Sequence, residues 1–143
     1  MPEIRILSAG DLAVLDRLAP DVFDQPINPE WAREFLTDPR HHLAVAVDSE
    51  VVVGMATAVH YVNPDKPPEL WINEVGVAET HRRMGLGRRM LEALFAEGRT
   101  VGCVQAWVLA DESNGVARAL YAGAGGRAAR ERAIMYEFPL AER

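Results

Sequence analysis

The chain has 143 residues, of which 49% are hydrophobic, with one cysteine and a net charge of −6. This length and composition predict a single domain, 1–143, with an apolar core. The acidic balance disfavours a general nucleic-acid surface, and no apolar run approaches the ~20 residues of a membrane span. A lone cysteine excludes an intrachain disulfide and the N-terminus lacks the pattern of a signal peptide, so we expect a cytoplasmic protein.

The first 40 residues predict one strand followed by two helices. Residues 3–7 have the composition of a short strand. Asp11 can cap a first helix that ends before Pro20. A second helix is expected from Asn28, with Pro29 at its first position. The apolar side of this second helix would carry Trp31, Phe35 and Leu36.

The rest of the chain predicts further strands that alternate with two helices. Strands are expected at 42–47 and 51–62, joined as a hairpin, and then at 70–77, 102–109 and 133–138. Helices are expected at about 86–98 and 114–122. The pattern predicts an α/β fold with a mixed central sheet of six or seven strands and about four helices.

The most informative stretch is the junction between the strand 70–77 and the helix that follows it. Four arginines lie at this helix entry with no acid between them: Arg82, Arg83, Arg88 and Arg89. Such an entry opposes the helix dipole unless an anion binds there. Gly85 and Gly87 allow the backbone to approach a ligand closely, so the junction predicts a phosphate or pyrophosphate site.

Two motifs carry a resemblance to a known family. The pattern Arg82-x-x-Gly85-x-Gly87 is neither a P-loop nor a dinucleotide fingerprint, and it resembles the pyrophosphate loop of the GNAT family of N-acetyltransferases, which use acetyl-CoA. The pattern Asn114-x-x-Ala117-x-x-Leu120-Tyr121 resembles that family's later helix motif. The aromatic residue that usually follows this helix is missing here, where several glycines stand instead.

The resemblance implies a single-domain GNAT fold and a binding site for acetyl-CoA. The backbone of Val75 and Val77 would pair with the acetyl carbonyl and the pantetheine arm. Asn114 would bind the pantetheine, or it would cap its own helix, which is the commoner role of such an asparagine. The pyrophosphate would be held by Arg82, Arg83, Gly85, Gly87 and Arg88.

Amine acetylation needs a base for the acceptor ammonium and a proton donor for the departing thiolate. Glu74 is the candidate base, because partial desolvation within an apolar strand would raise the pKa of its carboxyl group. The alternative is a carboxylate that only binds backbone or an arginine. Tyr121 is the candidate acid by its match to the family's helix tyrosine. The alternative is a half-buried tyrosine that fills space between helix and sheet.

Other reactive residue types in the sequence have simpler explanations. Cys103 lies in an apolar stretch without an adjacent histidine, so we expect a small hydrophobe rather than a nucleophile. His41 and His42 lack zinc-ligand spacing, and no metal is expected. His60 could line the acceptor site, although a structural role is the simpler explanation.

The acceptor can be predicted only as a class. The segment 21–38 contains five acids and one base, and it could present negative charge to a cationic amine or form an ordinary solvated face. The second half most resembles the aminoglycoside 3-N-acetyltransferases, through Glu74, the triplet 81–83 and the helix motif. We therefore expect direct transfer of an acetyl group to a primary amine of a small cationic molecule, without nucleic-acid or membrane partners. A protein or peptide N-acetyltransferase and a non-catalytic acyl-CoA sensor stay open, and family habit suggests a homodimer.

Overall fold

The computed structural model describes residues 1–141 and contains one sheet of five strands in the order β1-β2-β3-β4-β5. Strands β1 to β4 pair antiparallel, and β5 runs parallel to β4. The strands are β1 Glu3–Leu7, β2 His41–Asp48, β3 Val51–Tyr61, β4 Glu69–Val77 and β5 Ala106–Val108. The mixed α/β sheet is confirmed, whereas the expected six or seven strands are wrong.

Two expected strands account for this difference. The strand expected at 102–109 is reduced to three residues, because Gly102 adopts a positive φ of 88° and the Cys103 amide bonds to the Gly98 carbonyl in a turn. The segment 133–138 forms no strand, and its side chains are exposed. A sequence pattern indicates strand propensity, but a strand also needs a neighbour with which to pair.

Four longer helices accompany the sheet, as expected. They are a 3-10 helix Ala9–Asp16, α1 Pro29–Thr37, α2 Leu86–Thr100 and α3 Gly115–Gly123, with a further 3-10 turn Glu79–His81. The expected cap Asp11 is wrong: Ser8 holds the N-cap position, and the Asp11 carboxylate accepts its amide at 2.9 Å. The expected start of α1 is confirmed, since the Asn28 side chain accepts from the amides of Glu30 and Trp31. No helix within 1–141 is long and apolar enough to span a bilayer.

The two faces of the sheet have different roles. Helix α2 covers the face that carries Leu70 and Ile72, and it contributes the buried side chains Leu86, Met90, Leu91 and Leu94 to the core. The opposite face carries Leu43, Thr57 and Glu74, and it lies under α1 and the segment before it. We call these the α2 face and the α1 face.

One glycine fixes how the segment before α1 crosses the sheet. A Cβ atom on Gly76 of β4 would overlap the carbonyl oxygen of Val22, which is itself buried. The backbone around Val22 therefore rests directly on β4. This close approach sets the position of residues 23–28, which lead into α1.

Candidate active site

The site is organised by a bulge in β4. Thr57 of β3 faces Glu74, whereas its neighbour Ala58 faces Ile72, so Asn73 is one extra residue in β4. Strand β5 pairs only with Leu70–Ile72. Beyond the bulge, the outer edge of β4 has no strand beside it within the described part of the chain. We call this open stretch, 73–77, the β4 edge.

Hydrogen bonds show which backbone groups this edge exposes. The Ala78 amide donates inward to Val53 of β3 at 2.8 Å, while the Val77 carbonyl accepts outward from Arg82 Nε at 3.4 Å. Backbone groups point to opposite sides on successive residues of a strand, so those of Val75 point outward with those of Val77. The backbone groups of both valines are therefore directed away from β3, where an extended ligand could pair with them.

The loop after β4 leads to a helix end that has no side-chain cap. Gly85 holds the N-cap position with φ 75°, and neither a side-chain cap nor an acid in the first turn is present. Arg82 and Arg83 are exposed beside it, and Arg83 also has a positive φ of 63°. Arginines and uncapped amides together form a site that favours an anion.

Three further residues at the start of α2 make contacts within the protein itself. Arg88 pairs with Glu92 one turn further along α2, at 3.1 Å. Arg89 is half-buried and donates to the Pro2 carbonyl at 3.1 Å, so it ties α2 to the start of the chain. A Cβ atom on Gly87 would come within 3.1 Å of the Leu120 side chain, so this glycine also lets α3 pack closely on α2.

His81 anchors the same loop to a distant turn. Its Nε2 lies 2.7 Å from Asp48 Oδ2 and its Nδ1 lies 2.8 Å from Thr80 Oγ1. The hydrogen bond from His81 lowers the pKa of the Asp48 carboxyl group. Sequence reasoning noted the triplet 81–83 but missed Asp48, because only the fold brings residues 33 positions apart together.

A pocket of about 360 Å³ opens on the α1 face, and we call it the α1 pocket. Its apolar walls come mainly from Phe23, Ile27, Trp31, Phe35, Leu36 and Leu43. Its polar lining consists of Asp24, Gln25, Asn28, Thr57 and Glu74. The apolar spacing of α1 predicted part of this wall, and the acid-rich segment 21–38 was a candidate for lining the acceptor site, whereas the apolar residues Phe23 and Ile27 carried no such signal.

Glu74 lines the α1 pocket from β4, immediately after the bulge. Its side chain is exposed, so the partial desolvation that the sequence predicted is wrong for this structure. The apolar neighbours of Glu74 in sequence, Ile72 and Val75, belong to the other face of the sheet. The bulge and the strand alternation thus turn the carboxylate toward the pocket and solvent.

The acid-rich segment 21–38 divides into two groups. Asp24 lines the α1 pocket with Glu74. Asp38 instead holds the Arg40 guanidinium in two hydrogen bonds, of 3.0 and 3.2 Å, and these bonds lower the pKa of its carboxyl group. The negative charge that faces the pocket is therefore smaller than the count of acids suggests.

Tyr121 lies on α3, on the side of the molecule where α3 meets the start of α2. It is half-buried, and burial raises the pKa of its phenol, so the hydroxyl is a neutral proton donor at pH 7. Its neighbour Leu120 packs against Gly87 in the loop motif. Asn114 caps α3 by accepting from the Ala117 amide at 3.1 Å. No hydrogen bond joins Tyr121 to Glu74 within 1–141.

The other reactive residue types lie outside the pocket lining. Burial raises the pKa of the Cys103 thiol, which disfavours the nucleophilic thiolate. His42 and His60 are buried on the α2 face, with their rings joined through Nε2 and Nδ1 at 2.8 Å. His60 therefore does not line the α1 pocket. Among the described residues, no group of three potential ligands is arranged to hold a metal ion.

Comparison with known proteins identifies the class. The family model described as acetyltransferase (GNAT) family matches residues 12–125. The chain therefore belongs to the GNAT acetyltransferase family, which confirms the expected family and supports the expected class of enzyme, an N-acetyltransferase.

Solved structures share the fold at low sequence identity. An aminoglycoside acetyltransferase from an uncultured soil metagenomic sample, in complex with sisomicin, matches with a TM-score of 0.78 and 20% identity over 98% of this chain and 97% of that one. The aminoglycoside acetyltransferase AAC(6')-Iy, in complex with a CoA bisubstrate analogue, matches with a TM-score of 0.77 and 21% identity, covering 97% and 99%. A ribosomal-protein-alanine N-acetyltransferase from Brucella melitensis biovar Abortus 2308 matches with a TM-score of 0.73 and 18% identity, covering 96% and 100%.

Proposed function

We propose that this protein transfers the acetyl group of acetyl-CoA directly to a primary amine of a small cationic acceptor in a ternary complex. The observation that carries this proposal is the position of Glu74. It follows the bulge that opens the β4 edge, and its side chain lines the α1 pocket. One strand thus offers backbone to the donor and a carboxylate to the acceptor.

The donor half of the proposal rests on the β4 edge and the start of α2. The outward backbone groups of Val75 and Val77 bind the acetyl carbonyl and the pantetheine as an added strand does. The pyrophosphate lies at the α2 N-terminus, held by Arg82, Arg83, Arg88 and the amides near Gly85 and Gly87. The amide nitrogen of Asn114 is not used in capping, so this residue can cap α3 and bind the pantetheine at once.

The chemical half assigns roles to two side chains. Glu74 takes a proton from the acceptor ammonium, directly or through a water molecule, which frees the nitrogen lone pair. The nitrogen attacks the thioester carbonyl carbon, the carbon–sulfur bond breaks, and the electron pair leaves on sulfur. Tyr121 donates its phenolic proton to that sulfur. The attacking nitrogen loses its second proton through water to the tyrosinate, which restores the phenol and leaves a neutral amide and the CoA thiol.

The α1 pocket supports a cationic acceptor with an apolar or sugar-like body. Its volume is at the lower end of the ~300–1,000 Å³ usual for ligand sites, which suits one ring of an aminoglycoside rather than the whole molecule. Asp24 and Glu74 provide the negative charge for amino groups. Transfer to the 3-amino group stays a prediction, since the solved relatives include a 6′ enzyme.

A protein or peptide acceptor is the second candidate. One structural neighbour is described as a ribosomal-protein-alanine N-acetyltransferase, and Trp31 at the pocket rim is 71% exposed, as a docking residue can be. A non-catalytic acyl-CoA sensor is less well supported, because it would need neither Glu74 nor Tyr121. The cytoplasmic location stays a prediction.

A panel of acceptors tests this proposal. Purified protein is incubated with acetyl-CoA and aminoglycosides, linear polyamines, amino acids or peptides with free N-termini, and mass spectrometry locates any added acetyl group. We expect acetylation of a cationic small molecule, with fragment masses that identify the modified amine. Acetylation confined to peptides would select the second candidate, and acetyl-CoA binding without any product would contradict the small-molecule proposal.

A further inference from the structure

The sheet carries two tryptophans that lie outside its apolar core. Trp71 of β4 and Trp107 of β5 are partners in the strand register, and their rings stack at a centroid distance of 5.1 Å with 11° between the ring planes. Within 1–141, neither ring packs against the core that α2 covers, and each is only half-buried. A partly exposed aromatic pair of this kind is typical of a surface that contacts another molecule.

The two tryptophans lie on the α1 face, beside the α1 pocket. In β3, Thr57 pairs with Glu74, and both side chains line that pocket. Val59, two residues further along β3, pairs with Trp71. Two residues of a strand span about 7 Å, so the tryptophan pair begins about 7 Å from the proposed base along the sheet.

A chain of hydrogen bonds fixes the orientation of the outer ring. Trp107 Nε1 donates to the Tyr61 hydroxyl at 3.2 Å, and this hydroxyl donates to Glu69 Oε1 at 3.4 Å. The other carboxylate oxygen of Glu69 has no hydrogen-bond partner among the described residues. Since β5 is the last strand of the sheet there, no strand covers the side of Trp107 that is turned away from Trp71. We call Tyr61, Glu69, Trp71 and Trp107 the tryptophan platform.

This arrangement suits one kind of ligand. A flat aromatic face binds the apolar face of a sugar ring and attracts a cation, and a carboxylate beside it adds negative charge. The α1 pocket, at about 360 Å³, has room for one ring of an aminoglycoside-like acceptor. A larger acceptor must therefore extend beyond the pocket, and a ring joined by one glycosidic bond to a ring at Glu74 can reach the tryptophan platform.

We propose that the tryptophan platform is a second acceptor subsite, which binds an amino-sugar ring linked to the ring that occupies the α1 pocket. The second ring stacks on the outer side of Trp107, and its ammonium group pairs with the free oxygen of Glu69. This inference rests on the proposed function, because it takes the ring in the α1 pocket to be the one that is acetylated. It makes acceptors with two or more linked amino-sugar rings the preferred substrate class.

Acceptors with one and two rings test the subsite. Neamine has two linked rings with amino groups, and glucosamine has one. Trp107→Leu should raise KM for neamine by roughly 3- to 30-fold while KM for glucosamine and acetyl-CoA stays unchanged. Trp107→Phe, which keeps a flat ring, should recover most of this loss. The matched control is Phe138→Leu, at an aromatic side chain that is 79% exposed and lies outside the sheet. An unchanged KM for neamine in Trp107→Leu, or an equal rise for both acceptors, would overturn the proposal.

A binding measurement separates failure of the subsite from failure of the proposed function. Calorimetry with CoA in place of acetyl-CoA measures neamine affinity without any transfer. Saturation-transfer NMR under the same conditions should give signals from both rings, and those of one ring should weaken in Trp107→Leu but not in Phe138→Leu. Neamine binding that depends on Trp107 but yields no acetylated product with acetyl-CoA would support the subsite and contradict the proposed function. Acetylated product with no dependence on Trp107, or a wild type that binds no neamine, would overturn the subsite.

Discussion

The extra residue Asn73 determines which way the side chain of Glu74 points. Without the bulge, strand alternation would direct position 74 toward the α2 face, together with Leu70 and Ile72. With it, the carboxylate lines the α1 pocket. The sequence showed an acid within an apolar strand, but one inserted residue in the pairing cannot be read from local pattern.

Tyr121→Phe tests the role of the phenol. The ring still fills its half-buried position, so we expect a folded protein with unchanged acetyl-CoA affinity and a kcat reduced by about 10²-fold or more. A thioester donor whose thiol is more acidic needs less protonation, and it should lose less activity in the variant. Equal losses with both donors would assign Tyr121 to packing.

Asp24→Asn tests the charge that the α1 pocket presents. Removing a carboxylate from the pocket wall should raise KM for a cationic acceptor by roughly 3- to 30-fold while KM for acetyl-CoA stays unchanged. Glu30→Gln is the matched control, since Glu30 is exposed on α1 and does not line the pocket. Steady-state kinetics at low and high salt measure the change in KM. An equal change in both variants would show that the acceptor responds to the overall surface charge and not to Asp24 in the pocket.

The buried pair His42 and His60 makes stability depend on pH. Burial, followed by the charge of His60, lowers the pKa of His42 to about 4, and burial also lowers the pKa of His60. Between pH 6.5 and about 4, His42 is protonated in the unfolded chain but stays neutral in the folded protein. The free energy of unfolding therefore falls as the pH drops through this range. Urea unfolding should show a loss of up to roughly 3 kcal/mol from His42, and His42→Leu should flatten the slope.

At the scale of elements, the predictions that succeeded were local. The start of α1 depends on two adjacent residues, because Asn28 caps the helix and Pro29 suits its first position. The hydrogen bonds from the amides of Glu30 and Trp31 to the Asn28 side chain confirm this start. The arginine and glycine motif likewise identified the loop at the start of α2. The prediction of a strand at 133–138 was wrong for the opposite reason. A strand depends on a neighbouring strand, and the local sequence does not specify that neighbour.

Gly76→Ala tests the contact that positions the segment before α1. The new Cβ would overlap the Val22 carbonyl, so β4 or the backbone near Val22 must move, at a cost of about 1–3 kcal/mol in unfolding free energy. Gly123→Ala is the control, because an added Cβ there meets nothing within 4 Å. Thermal unfolding measures stability, and a Gly76→Ala variant as stable as the control would show that the contact relaxes freely.

At the scale of the whole molecule, the two faces of one sheet carry different features. Its α2 face buries the largest side chains, whereas its α1 face carries the pocket and the proposed acid–base group. The proposed donor site lies where β4 and α2 meet, at the edge between the two. This arrangement lets two substrates approach one strand from different sides, as direct transfer requires.

The most direct test of the account is the rate of free-thiol release from acetyl-CoA with the best acceptor, for wild type, Glu74→Gln and the exposed control Glu34→Gln. We predict that kcat falls by about 10²- to 10⁴-fold in Glu74→Gln with KM for acetyl-CoA unchanged, and that Glu34→Gln behaves as wild type. Full activity in Glu74→Gln would contradict the account, because the carboxylate between the β4 edge and the α1 pocket would then not be the base.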